Sequence, residues 1–222
     1  RLDGIPLAIE MAVPRLKVLS PAQLAERLDE RFRLLGAPAR GATPRHRTLQ
    51  AVIDWSYDFL TEEERALLRT LSAFAGSAAL GAIEAVTGDD GSQDIELLDR
   101  LTALADKSMV VVETSQPPRF RLLETIRQYA VRKAVEAGET DLAARHAAYF
   151  AELFREAAGT WPTMPGRDWL ASYAPDAENL RSALTWAFGP DGDADLGVQL
   201  VASTVPLWWE LPETPVAEGQ RW

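Results

Sequence analysis

Apolar residues recur at helical spacing in one segment after another, and β-type sequence is confined to one short region. Pro6 suits the first turn of a helix carrying Ile9, Ala12 and Val13, since its missing N–H would be unpaired there. Ser20-Pro21 opens a second helix with Leu24, Leu28 and the Phe32, Leu34, Leu35 cluster, and the small residues Gly36 to Thr43 read as a linker. From Thr48 the periodicity is strong: Leu49, Val52, Ile53, Ser56 and Leu60 share a face, thickened by Trp55 and Phe59. Thr61-Glu62-Glu63-Glu64 is a capping box, predicting a helix that buries Leu67, Leu68 and Leu71. Two more helices, Ala79 to Val86 and Glu96 to Leu104, flank the turn Gly88-Asp89-Asp90-Gly91.

The period then changes. Ser108 to Glu113 is a β-branched run, Pro117-Pro118 interrupts it, and Arg119 to Leu122 resumes it, predicting a hairpin. Directly after it, Leu122, Ile126, Tyr129, Ala130 and Ala134 form an apolar stripe at helical spacing that Gly138 ends. Helices leading into a small hairpin are the composition of a winged-helix domain, although a hairpin ahead of the last helix departs from the order of the commonest DNA-binding version. Beyond it, Thr140 to Ala157 predicts a helix lined by Leu142, His146, Tyr149, Phe150, Leu153 and Phe154, with His146 packed in or beside the core. A loop at Trp161 to Gly166 leads to short helices marked by Trp169, Leu170, Leu180, Leu184, Trp186 and Phe188. A break at Gly189 to Asp193 then precedes a helix from about Asp195 to Trp209. The fold expected is mainly α: a winged-helix domain with a small β-hairpin, followed by a tetratricopeptide-like helical array. Its parts are residues 1–43, 44–138 and 139–222.

Three stretches carry a family resemblance. Gly4-Ile5-Pro6-Leu7-Ala8 resembles the G-x-P-L-A motif of the STAND class of signal-transducing ATPases, which contains the NB-ARC proteins. Leu122-Leu123-Glu124 falls where many of them have Met-His-Asp, so the carboxylate is kept and the His is missing. The string H-R-T-L-Q-A-V-I-D-W-S-Y-D-F-L followed by R-F-R-L-L-E-T-I-R-Q-Y-A closely resembles actinobacterial-type regulators with such an ATPase core. The resemblance implies that residues 1–43 end a nucleotide-binding lid. It implies that Gly4, Pro6 and Glu124 are nucleotide-binding residues, and that the winged helix folds over bound ADP to hold the protein off until an inducer and ATP reset it. ADP or ATP with Mg is then the cofactor of the full-length protein, with none expected to bind this stretch tightly. The partners implied are an intramolecular nucleotide-binding domain and an inducer or partner protein at the helical repeats. Read from the residues alone, Pro6 is a helix-start proline. Glu124 is a helix-start carboxylate, favoured there by ~0.3–1 kcal/mol through the dipole and unpaired N–H groups.

Composition narrows the chemistry. The 222 residues are 47% hydrophobic and 25% charged, and no apolar run approaches the ~20 residues that span a bilayer. The lack of cysteine excludes disulfides and thiolate metal sites and fits a cytoplasmic protein. The opening R-L-D-G-I-P reads as a cut inside a larger protein. No G-x-x-x-x-G-K-[ST] phosphate loop, G-x-S-x-G elbow or H-E-x-x-H is present, so no catalytic residue is expected and the chain is not expected to be an enzyme. No metal site is expected either: the acids Asp89, Asp90, Asp191, Asp193 and Asp195 lack the spacing of a calcium loop. Net charge is −10, running +4 over residues 1–50, −6 over 51–138 and −8 over 139–222. The basic patch at Arg40, Arg45, His46 and Arg47 reads as a solvated linker. Such a balance disfavours nucleic-acid binding by the surface as a whole. Two other functions stay open: a DNA-binding winged helix using Arg119, Arg121, Arg127, Arg132 and Lys133, and a helical-repeat interaction module with no nucleotide role.

Overall fold

The computed structural model describes residues 44–88 and 94–210, with Pro6, Ile9, Met11, 13–17 and 19–24 ahead of them. Gly4, the linker 36–43 with Arg40, the cluster Phe32, Leu34 and Leu35, and the turn acids Asp89 and Asp90 lie outside the described residues, as do the side chains of Arg45, His46 and Arg47.

Helix α1 spans Pro44–Asp58 and α2 Glu62–Leu71. The first begins four residues before the periodicity suggests, at a proline suited to a helix start. Val52, Ile53 and Trp55 are buried on α1, whereas Phe59, expected in that face, is 44% exposed and stands edge-on to Trp55. The capping box forms as expected: Thr61 donates its backbone N–H to Glu64 Oε2 at 2.9 Å and Glu64 donates its own to Thr61 Oγ1 at 3.3 Å.

A two-residue strand, β1 (Ala78–Ala79), precedes helix α3 (Leu80–Thr87), so Ala79 belongs to a strand and not to the expected helix. Helix α4 (Asp94–Asp106), strands β2 (Val111–Glu113) and β3 (Arg119–Arg121) and helix α5 (Glu124–Glu136) follow. The strands form an antiparallel sheet of order β1-β3-β2, with Phe120 opposite Ala78 on one side and Val112 on the other. The element order is helix, strand, helix pair, hairpin, followed by the extra helix α5, and α4 occupies the second position of the helix-turn-helix pair. The expected stripe is buried from Leu122, which lies just ahead of α5, to Ala134, and Gly138 ends the segment at φ +76, a conformation glycine adopts without a Cβ penalty.

Helices α6 (Leu142–Thr160), α7 (Gly166–Tyr173), α8 (Ala177–Ala187) and α9 (Ala194–Glu210) follow among the described residues, with a 3₁₀ turn over Ala174–Asp176. His146, Phe150 and Phe154 line the buried face of α6, and Trp169 of α7 is fully buried with Nε1 donating to the Ala157 carbonyl at 2.8 Å. One continuous apolar cluster runs from Val52 on α1 to Leu207 on α9, so the winged helix and the following helices share a core. Phe74, after α2, meets His146 and Phe150 edge to face across that junction.

Candidate regulatory site

The strand-to-helix junction is built by β3 running into α5 with two residues between them. Leu123 is the N-cap, extended at φ −65 and ψ 144, with no side-chain cap, and it packs half-buried against the core. Glu124, the first residue of α5, turns its carboxylate along the helix, where it accepts from Arg127 Nε at 2.8 Å, from Arg127 at 3.0 Å and from Gln128 Nε2 at 2.8 Å. These bonds, Arg127 first, hold the carboxyl below the usual carboxylate range. Glu124 is therefore a helix-start carboxylate that braces the first turn through neighbouring side chains. Pro6 is helical and exposed, and the described contacts of Glu124 are all within α5.

The five cations of the DNA-binding alternative are engaged inside the protein. Arg121 donates to Glu113 at 2.9 Å, Arg127 to Glu124, Lys133 to Glu136 at 2.7 Å, and Arg132 to Gln50 at 3.1 Å while lying over the Tyr129 ring. Arg119 is buried, and its guanidinium pairs with the buried Asp176 while donating to Ser77 Oγ at 3.0 Å and to the Ser77 carbonyl at 2.7 Å. Asn179 completes the cluster, donating Nδ2 to the Ser77 carbonyl at 2.8 Å and accepting from the Gly76 N–H at 3.1 Å. Asp176 and Asn179 carry no motif that singles them out. The signal that could have found them is an arginine placed inside a sheet, which needs a buried acid elsewhere.

Helix α4 holds the position from which a helix-turn-helix enters the major groove. Its sequence has four acids, Asp94, Glu96, Asp99 and Asp106, against Arg100, and its outer side exposes Ile95 (78%) and Leu98 (44%). An open cleft of about 380 Å³ lies beside it, lined by Glu63, Thr70, Thr87, Gly88 and Arg100 among others. Among the described residues, no group of three or more His, Asp or Glu is placed to hold a metal ion. Nor is any described helix long and apolar enough to cross a membrane.

Comparison with known proteins agrees with this architecture. The family described as a winged helix-turn-helix domain matches residues 60–134, from the end of α1 through α5. "Putative HTH-type transcriptional regulator Rv0890c" of Mycobacterium tuberculosis and its Mycobacterium bovis counterpart Mb0914c are each 41% identical over 226 aligned residues. The match covers all of this chain and 25% of each relative. "Uncharacterized protein Rv0894" of M. tuberculosis is 43% identical over 143 residues, 64% of this chain and 36% of that protein. No solved structure matches the chain. The chain thus spans about a quarter of the length of the regulators it matches end to end. Residues 60–134 are a winged helix-turn-helix domain, in a chain homologous throughout to one part of proteins named as HTH-type transcriptional regulators.

Proposed function

We propose that this chain is the regulatory part of a transcriptional regulator, in which the winged helix makes protein contacts and does not read DNA. The observation that carries the reading is α4. A helix that enters a groove must approach phosphates, and one with four acids to one arginine, exposing Ile95 and Leu98, is repelled by them and suited to an apolar surface. The surface ion pairs of Arg121, Arg127 and Lys133 could be exchanged for phosphates at small cost, since such pairs are worth ~0–1 kcal/mol. Arg119 could not, being buried on Asp176.

The finer reading is a nucleotide-dependent switch of the STAND type, in which the full-length protein binds ADP or ATP with Mg. A nucleotide-binding domain elsewhere in the longer polypeptide packs against the winged helix, and the helices from α6 onward receive the inducer or partner protein. Its support is the resemblance of Gly4 to Ala8, of the α1 sequence and of the β3-α5 junction. The junction side chains do not themselves fit a phosphate, because that of Leu123 has no donor and that of Glu124 carries the wrong charge. In this reading they set the start of α5 and the phosphates are held elsewhere. The catalytic apparatus also lies elsewhere, since this sequence has no phosphate loop.

The rival is a DNA-reading winged helix, favoured by the domain type and by the relatives' names. Titration of the chain with duplex DNA at low salt separates the two. Binding no tighter than ~10⁻⁴–10⁻⁶ M, the usual nonspecific range, is the expected result. Sequence-selective binding that weakens on replacing residues of α4 would overturn the proposal.

A further inference from the structure

We propose that the buried cluster of Arg119, Asp176 and Asn179 is the joint by which the helical region sets the state of the winged-helix sheet, so that a partner displacing α8 acts on β1 and β3. Its members come from distant parts of the chain: Arg119 starts β3, Asp176 and Asn179 stand at the entry to α8, and Gly76 and Ser77 lead into β1. All three side chains are nearly inaccessible, with Arg119 8%, Asp176 6% and Asn179 0% exposed.

Two features make this a coupling device and more than a packing contact. First, β1 has two residues and, among the described residues, pairs with β3 alone, so its ladder is too short to hold by itself. The Asn179 amide extends it, accepting from Gly76 and donating to Ser77 as a further strand would. The approach is close: a Cβ at Gly76 would lie 3.2 Å from Glu178 Cβ. Second, separating the buried ion pair takes the counter-charge from both groups and leaves Arg119 only its neutral partner Ser77, so intermediate positions of α8 are disfavoured and the contact is made or lost as a whole. Movement of α8 without the sheet is thereby suppressed. The inference goes beyond the proposed switch and does not depend on nucleotide.

Hydrogen exchange on the 222-residue chain tests it, comparing the parent with Asp176→Asn, whose change lies in the helical region. Exchange across residues 76–79 and 119–121 should rise at least about fivefold more than across 62–71 of α2, which lies in the same domain away from the cluster. A smaller difference, whether from no change or from a uniform rise, overturns the proposal, because it would mean a contact that is merely structural. Should Asp176→Asn fail to fold, Arg119→Met with Asp176→Leu removes both charges at similar volume, and the same fivefold criterion applies.

Discussion

At the scale of single residues, His146 shows how burial sets chemistry. Its ring lies between Phe74 and Phe150, centroids 5.1 and 4.6 Å away, and Nε2 has no hydrogen-bond partner among the described residues. Burial lowers its pKa from 6.5 to about 4, and contact with the Asn179 amide only partly offsets this. The unfolded chain takes up a proton below about pH 6.5, while the folded chain refuses it until about pH 4. This contribution to stability is therefore intact above pH 6.5 and is lost as pH falls through that window. At ~1.4 kcal/mol per pH unit, the chain should lose on the order of 2 kcal/mol between pH 7 and pH 5. Urea midpoints at the two pH values for the parent and for His146→Leu provide the check. Equal pH slopes in both proteins would show that His146 is not the group responsible.

At the scale of elements, α5 holds the winged helix against α1. Tyr129 is 2% exposed, meets Tyr57 of α1 edge to face at 5.5 Å, and has its phenol pKa raised by burial and by Asp54 of the same helix. Arg69 of α2 fastens the far end, donating to Tyr57 at 3.2 Å and to Glu139 at 2.8 Å just past the Gly138 stop. Tyr129→Ala removes the ring from this packed seam and should cost ~3–5 kcal/mol, as large-to-small core changes do. A denaturation midpoint matching the parent's would contradict the burial of α5. The α5 stripe, its glycine stop and the Thr61 capping box were all legible in the sequence, because each is a local pattern whose physics is complete within one or two turns. Strand β1 was not. Ala78 and Ala79 favour helix in isolation and become a strand only by pairing with β3.

At the scale of the whole molecule, the proposed switch is an equilibrium between two states of the longer protein, and Glu124 can be asked how much it contributes. Its bonds to Arg127 and Gln128 are exposed and local, so removing the carboxylate should weaken the start of α5 by ~0.3–1 kcal/mol, roughly two- to fivefold in a two-state balance. In the full-length protein, Glu124→Ala should release ADP more readily and raise basal reporter output. Glu124→Gln, which keeps an acceptor without the charge, should fall between that variant and the parent. If both variants retain ADP and stay as silent as the parent, the junction is structural and takes no part in a latch.

The sequence alone determined the helical majority, the hairpin and the apolar faces of α2, α5 and α6, because hydrophobic period and capping act over a few residues. It also placed Pro6 in a helix and Glu124 at a helix start, both where the structure has them, while Gly4 lies outside the described residues. Tertiary structure decided the rest. It made a strand of two alanines, put α4 second in the helix-turn-helix pair with Ile95 and Leu98 exposed beside Glu96 and Asp99, and withdrew Arg119 from any surface role by pairing it with Asp176, 57 residues away. Such a pairing leaves no periodic trace. A buried charge requires a partner, but which acid meets it is fixed only when the helical region packs against the sheet.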